Sequence, residues 1–163
     1  MKKLMLASAL LFLLSGCSLG VFGSGKADEL VEFNNEQLNK IIEMEEKANE
    51  PILEAVTSYD IEALIVGIAD AKPQYDKMLK EIDSWEFKTD EVEAKAKQLR
   101  EVVKMSRENL DVQQEAFETE DEELMTKADE TQMKIEEKAV KFDKDLKKLA
   151  DEWDVEITDQ ELK

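Results

Sequence analysis

The last ninety residues of this 163-residue chain contain neither glycine nor proline. Gly67 is the last glycine and Pro73 is the last proline. These two residue types are the strongest breakers of helices, and the stretch that lacks them is rich in Glu, Lys, Ala and Leu, which favour helix. The absence of breakers therefore predicts long helices over the second half of the chain.

Apolar residues recur at alternating steps of three and four, which is the spacing of one face of a helix. The clearest face runs through residues 92–117, and a second one runs through residues 124–153. Residues 60–85 carry two adjoining stripes, one starting at Ile61 and one at Leu64. The stretch before them is less regular, because Asn34 and Glu45 interrupt its apolar face. These faces indicate an all-α fold.

Start signals divide the chain into four predicted helices, near residues 28–57, 60–85, 90–117 and 120–155. Asp60 is a suitable N-cap, and the pairs Asp90 with Glu93 and Thr119 with Glu122 have the spacing of capping boxes. Helices of about 40 Å with short connections are typical of an antiparallel four-helix bundle. The last two helices are expected to form a hairpin. The alternative is one continuous rod, which would need a partner along its whole apolar seam.

The start of the chain has a different character. A short basic segment, Met1-Lys2-Lys3, precedes an apolar run over residues 4–14. This run has about the length of the hydrophobic region of a secretory signal and is too short to span a bilayer. The next residues, Leu14-Ser15-Gly16-Cys17, resemble the lipobox of bacterial lipoproteins. The resemblance implies cleavage between Gly16 and Cys17, and a thioether-linked diacylglycerol on Cys17 that anchors the chain to a membrane.

The predicted domain organisation follows from this reading. It has a signal peptide at residues 1–16, a lipidated cysteine with a flexible linker at 17–26, a helical bundle at 27–155 and a frayed tail at 156–163. The linker holds three of the five glycines, and a Gly/Ser-rich composition gives a flexible spacer. Cys17 is the only cysteine, so the chain cannot form an internal disulfide.

Acidic residues outnumber basic residues by a wide margin. The full chain has a net charge of −18, and removal of Lys2 and Lys3 with the signal peptide leaves −20. Such a surface repels phosphate backbones and anionic lipid headgroups, so no nucleic acid is expected as a partner. A cationic partner or a cation-rich wall is favoured instead. Only Arg100 and Arg107 are arginines, and this bias towards lysine favours a Gram-positive source.

The chain offers no recognisable catalytic constellation. It contains no histidine, which removes the usual general base and the partner that activates serine or cysteine nucleophiles. It has no Ser-x-x-Lys and no glycine-rich phosphate loop. We therefore expect no enzyme activity, no cofactor and no metal. The acidic run at residues 118–123 is expected to be a solvated helix start rather than a cation site.

Two groups of side chains are candidates for binding. Trp85 and Phe87 lie at a predicted connection between helices, where they either seal the end of the bundle or grip a sugar or a peptide. Ser106 and Gln113 interrupt the apolar face of the third predicted helix, and Thr131 interrupts that of the fourth. If these three face one another, they form a buried polar layer that fixes the register of the helices. If they do not, the seam opens onto a partner.

The leading hypothesis is a membrane-tethered lipoprotein at the extracytoplasmic face, acting as a non-enzymatic interaction module for the cell wall or another envelope protein. The mature region is similar to small all-helical lipoproteins of Gram-positive bacteria that are described as cell-wall-binding. The alternative is a ligand- or cation-binding lipoprotein, with a cleft between the first two helices opened by Pro51, Gly67 and Pro73. Self-association through the seam of the last two helices is a third hypothesis, and the sequence leaves the oligomeric state open.

Overall fold

The computed structural model describes residues 25–156, and this part of the chain is helical without any strand. The first rod consists of three segments that follow one another without a break, and three further helices come after it. The segments are α1 (Gly25–Glu32), a π-helical segment (Phe33–Leu38), α2 (Asn39–Ser58), α3 (Ile61–Asp83), α4 (Asp90–Thr119) and α5 (Glu122–Glu152). The predicted all-α bundle of four long rods is confirmed.

Consecutive rods pack against each other in antiparallel directions. The closely packed pairs are α2 with α3, α3 with α4, and α4 with α5. Ion pairs show that α3 and α4 run in opposite directions. Asp83 at the end of α3 binds Arg100 in the first half of α4, whereas Lys72, earlier in α3, binds Asp111 further along α4. The helices α2 and α5 are not among the closely packed pairs, so the fourth seam of the bundle is looser than the other three.

The two turns at one end of the bundle use the same two-residue construction. Tyr59 and Glu120 adopt the left-handed backbone conformation, with φ of 57° and 54°, and each is followed by an aspartate that caps the next helix. Asp60 accepts a hydrogen bond from an N–H group of α3 at 2.9 Å. Asp121 accepts from two N–H groups of α5 at 2.8 and 3.1 Å. The hairpin between α4 and α5 is confirmed, and it needs no glycine because Glu120 takes the left-handed conformation.

The predicted N-cap Asp60 is confirmed, but the other two predicted caps are wrong by one or two residues. The N-cap of α4 is Thr89 rather than Asp90. Asp90 lies in the first turn, where its charge suits the positive end of the helix dipole. The N-cap of α5 is Asp121, since the predicted cap Thr119 is the last residue of α4. A carboxylate accepts hydrogen bonds from backbone N–H groups more strongly than a hydroxyl does, which favours the later start.

The apolar core follows the predicted face on α4, where every residue of that face is buried. On α3 both stripes contribute buried residues, and only the start of the stripe at Ile61 turns outwards, since Ile61 is 59% exposed. At the end of α2, Tyr59 continues the apolar spacing of the sequence but is 93% exposed. The first half of α5 packs on α4 through Ile135 and Ala139, whereas its second half joins the main core.

The π-helical segment of the first rod was not predicted. The core positions 30, 33, 38 and 41 step by three, five and three residues, and the step of five exceeds the 3.6 residues per turn of an α-helix. A wider π turn accommodates this spacing. It keeps both Phe33 and Leu38 on the buried face of the rod.

Pro51 and Pro73 lie inside α2 and α3, and neither interrupts its helix. Gly67 of α3 faces the part of α2 that holds Pro51. A Cβ atom added to Gly67 would lie 3.2 Å from the backbone nitrogen of Ile52 and 3.2 Å from the carbonyl carbon of Pro51. The two backbones are therefore in close contact, and the predicted cleft is wrong at this crossing.

The helical part begins at Gly25, inside the stretch that was predicted to be a linker. The predicted signal peptide, Gly16 and the lipidated Cys17 lie outside the described residues. None of the helices between residues 25 and 156 combines the length and the apolar character that spanning a bilayer would require.

Candidate functional site

A layer of polar side chains crosses the middle of the bundle and surrounds a small cavity. Antiparallel packing brings the four rods to the same level there, and each contributes at least one polar group. The cavity has room for one or two water molecules, with about 20 Å³ for their centres. Its lining consists of Glu45, Asn49, Tyr75, Ser106, Asn109, Leu110, Gln113 and Gln132.

Glu45, Tyr75 and Asn49 form a short hydrogen-bonded chain between α2 and α3. The Tyr75 hydroxyl lies 3.3 Å from Glu45 Oε1 and 3.2 Å from Asn49 Oδ1. One hydroxyl proton cannot serve both acceptors. When Glu45 is protonated, its O–H donates to the Tyr75 oxygen, and the Tyr75 O–H donates to Asn49. The geometry thus favours a neutral carboxyl group.

The burial of Glu45 acts in the same direction. Burial raises its pKa from 4.5 to about 8, the hydrogen bond with Tyr75 opposes this rise, and the negative charge of Glu46 adds to it. Burial also raises the pKa of the Tyr75 hydroxyl. At neutral pH the layer therefore holds a protonated carboxyl group, because water cannot solvate the charge inside the bundle.

The α4 side of the cavity carries acceptors that lack partners. Asn109 Nδ2 donates to the carbonyl oxygen of Ala128 at 3.2 Å, but Asn109 Oδ1 and Gln113 Oε1 are buried without a hydrogen-bond partner. The Ser106 hydroxyl donates to Val102 of its own helix. An unpaired buried acceptor costs about 1–3 kcal/mol. The cavity therefore favours an occupant that donates hydrogen bonds or carries a positive charge.

The predicted polar layer is confirmed in part. Ser106 and Gln113 line the same cavity, as predicted, but Thr131 does not. Its hydroxyl donates to the carbonyl oxygen of Lys127, and the neighbouring Gln132 lines the cavity in its place.

Sequence reasoning missed the other polar members of the layer. Glu45 was noted only as an interruption of an apolar face, although it lies four residues after the buried Ile41 and three before the buried Ala48. Asn109 lies between Ser106 and Gln113 at helical spacing. The positions of Glu45 and Asn109 at core spacing in the sequence could therefore have indicated that both belong to a buried polar layer.

Trp85 and Phe87 lie at the end of the bundle near Gly25, where they pack around Phe33. The three rings meet edge to face, with centroids 6.0 to 6.3 Å apart, and Trp85 Nε1 donates to Glu81 Oε1 at 3.2 Å. Both aromatics are half-buried. This is the arrangement expected of side chains that seal the bundle, which was the alternative to a binding role.

Further contacts at this end tie α1 to the rest of the bundle. The Glu29 carboxylate accepts a hydrogen bond from the backbone N–H of Lys88. Burial raises the pKa of Glu29, but this hydrogen bond and those from Thr89 hold it below its usual value. Lys26 binds Glu91 at 3.4 Å. These contacts make α1 part of the bundle rather than a free extension.

The opposite end of the bundle exposes large apolar side chains around the turn between α2 and α3. Leu53, Tyr59, Ile61 and Val66 are between 59 and 93% exposed, and we call this group the apolar tip. Residues 48–71, which contain the tip, include five acidic residues and no Lys or Arg. Along α2 and α3 the tip is thus flanked by acidic residues and by no basic residue, and we call these acidic residues the acidic rim.

The acidic run at residues 118–123 lies at the same end of the bundle, and all of its residues are exposed. Asp121 caps α5 within this run. Between residues 25 and 156, no three Asp, Glu, Cys or His side chains are grouped in a way that could hold a metal ion. The run therefore extends the acidic surface around the tip.

Residues 26–157 match the family described as Uncharacterised lipoprotein PM1805. The chain belongs to this family. The match to PM1805 begins at the second residue of α1 and extends beyond α5, so it covers the whole bundle. Membership of PM1805 supports the predicted bacterial lipoprotein and implies a membrane-anchored protein of the cell envelope. No curated protein and no solved structure matches the chain.

Proposed function

We propose that this chain is a non-enzymatic interaction module at the extracytoplasmic face of the membrane, and that its apolar tip binds another envelope protein. The observation that carries the proposal is the exposure of Leu53, Tyr59, Ile61 and Val66 together at one end of the bundle. A group of large apolar side chains exposed at one place on a protein surface commonly marks a site of protein–protein contact.

The position of the tip suits an anchored protein that reaches outwards. The first rod extends from Gly25 to Ser58, which corresponds to about 50 Å at 1.5 Å per residue. The predicted lipid attachment site, Cys17, precedes Gly25 by only eight residues in the sequence. An anchor at that end leaves the opposite end, with the tip, accessible to a second protein.

The backbone of Tyr59 supports a binding role for its side chain. A residue with a Cβ atom pays about 1–2 kcal/mol in the left-handed conformation, and glycine would adopt it without this cost. Tyr59 nevertheless occupies this position with its ring almost fully exposed. Residues in sparsely populated backbone conformations cluster at functional sites, and among the residues of positive φ in residues 25–156 Tyr59 is the aromatic one.

The acidic rim specifies the chemistry of the partner. Complementary charge around an apolar contact steers association and suppresses wrong partners. The proposed partner is therefore a protein with an apolar patch bordered by Lys and Arg. Association is expected to slow down at high ionic strength, because salt screens the attraction between the two rims.

Site-specific photocrosslinking in intact cells tests the proposal. A photoreactive phenylalanine analogue at Tyr59 is expected to form one dominant protein adduct, and the same analogue at Val140 is the matched control. Val140 is also a large exposed apolar residue, with 69% exposure, but it lies on α5. Equal adducts from both positions, or none from Tyr59, would contradict binding at the tip.

A second pair of variants separates binding from folding. Tyr59→Gly removes the aromatic ring and relieves the left-handed strain, so it is expected to abolish the adduct formed through a neighbouring analogue at Ile61 without lowering stability. Glu120→Gly makes the same backbone change in the other turn and should leave the adduct unchanged. Saturable binding of the full chain to isolated cell walls that Tyr59→Gly leaves intact would point to the wall as partner and refute the proposal.

A further inference from the structure

We propose that the cavity of the polar layer binds one monovalent cation of about the size of water, K⁺ or NH₄⁺, between Glu45, Asn109 and Gln113. The site is separate from the apolar tip and does not depend on the function proposed for it. The ligands would be the carboxylate of Glu45, Asn109 Oδ1 and Gln113 Oε1, with the Tyr75 hydroxyl oxygen beside them.

The chemistry of the lining points to a cation. Asn109 Oδ1 and Gln113 Oε1 are unpaired acceptors on side chains that are at most 6% exposed, and both residues line the cavity. No Lys or Arg is part of the lining. Amide carbonyl oxygens and carboxylates are ligands for hard cations, and rings of carbonyl oxygens replace the hydration shell of K⁺ in selective pores.

Charge and size favour a monovalent ion. Glu45 is the only acidic residue in the lining, so one monovalent cation neutralises the ionised site. A divalent ion would leave an uncompensated positive charge inside the bundle, which is costly. The cavity has room for one or two water-sized occupants, and K⁺ and NH₄⁺ are close to water in size.

The cation and the proton of Glu45 compete for the same site. Burial raises the pKa of Glu45 to about 8, and a bound cation would lower this pKa because it stabilises the carboxylate. Binding is therefore expected to strengthen as the pH rises. The groups around Glu45 in the cavity are Asn49 on its own helix, Tyr75 on α3, Ser106, Asn109 and Gln113 on α4, and Gln132 on α5, none of them basic. The one nearby charge is that of Glu46, the exposed next residue on α2.

The cavity is accessible without unfolding. Asn49 and Gln132 line it and are only half-buried. They lie on α2 and α5, the two helices that are not closely packed against each other. A small ion can therefore enter between these helices.

Thermal unfolding of the purified full chain in mild detergent tests the site. Melting is followed at about pH 9, where Glu45 is largely ionised, while KCl replaces tetramethylammonium chloride at constant ionic strength. Tetramethylammonium is too large for the cavity and serves as the inert ion. The melting temperature is expected to rise with K⁺ and to saturate, because a ligand at ten times its Kd raises the folding equilibrium constant about 11-fold.

Two variants and one further ion decide the interpretation. Glu45→Gln is expected to lose the K⁺ response, whereas Glu46→Gln, which removes one charge from an exposed neighbour on the same helix, should keep it. NH₄Cl should act like KCl. A K⁺ response of equal size in Glu45→Gln would overturn the site, since it would reflect the acidic surface in general. No difference between K⁺ and tetramethylammonium would also overturn it and leave water as the occupant.

Discussion

Replacing Glu45 by glutamine is expected to flatten the pH dependence of stability between about pH 5 and pH 8. The carboxyl group binds its proton more tightly in the folded chain, where burial raises its pKa to about 8, than in the unfolded chain, where the pKa is 4.5. The stability that depends on this proton is fully present below about pH 4.5. It is lost as the pH rises through about 8, because the folded state must then hold a buried charge.

The size of the effect follows from the two pKa values. A tenfold difference in proton affinity corresponds to about 1.4 kcal/mol, so the change from 4.5 to about 8 corresponds to on the order of 5 kcal/mol. Most of this loss falls in a window in which no other side chain titrates at its usual pKa, because the chain has no histidine. Carboxylates whose pKa is lowered by ion pairs, such as Asp83 and Glu101, act in the opposite direction and at lower pH.

The assay is urea unfolding of the full chain in mild detergent, followed by tryptophan fluorescence and circular dichroism from about pH 5 to pH 9. Tetramethylammonium salts keep the buffer free of K⁺ and NH₄⁺. The free energy of unfolding should fall by about 1.4 kcal/mol per pH unit between about pH 5 and pH 8 in the wild type, and level off above that range. It should stay nearly level in Glu45→Gln, and Glu46→Gln should behave as the wild type. If the free energy of unfolding changed with pH in the same way in the wild type and in Glu45→Gln, the reasoning would be refuted.

Three further predictions concern other parts of the chain. Gly67→Ala should cost about 1–3 kcal/mol in thermal unfolding, because its Cβ would press on the backbone of α2, whereas Gly25→Ala has open space and should be neutral or slightly stabilising. Asp121→Ala should cost about 1 kcal/mol of stability through loss of the α5 cap, and Thr119→Ala should cost clearly less. If urea unfolding showed the larger loss for Thr119→Ala, Thr119 and not Asp121 would be the cap. Cys17→Ser should abolish labelling with radioactive palmitate and membrane association in cell fractionation, and membrane retention would disprove lipidation as the anchor.

The fold was largely predictable because the spacing of apolar residues indicates which face of a helix is buried. On α4 the alternation is unbroken, and every predicted face residue is buried. On α3 both stripes contribute to the core, and spacing alone cannot show that Leu64 is buried whereas Ile61 is exposed. The packing partner decides, because the close approach of Gly67 to α2 orients the helix so that Leu64 faces inwards.

The candidate site was less predictable because its members lie far apart in the sequence. Ser106 and Gln113 could be recognised as polar residues on an apolar face, but their alignment with Glu45 depends on the lengths of the rods and turns between them. The tip was missed for a related reason. Tyr59 continues a helical stripe in the sequence, and only the left-handed turn at that residue directs its ring into solvent.

The π-helical segment has a consequence for how the chain tolerates changes in length. The core positions 30, 33, 38 and 41 are spaced by three, five and three, whereas the buried face of α4 alternates between three and four. Deletion of the exposed Glu36 would shorten the step of five to four and give the alternation of three and four, so α1 and α2 could keep their buried faces in an unbroken α-helix. Single-residue gaps are normally excluded from the middle of a helix, because they rotate one half relative to the other by about 100°. At this position the rod is one residue longer than a regular helix requires, and an alignment of family members could place such a gap here.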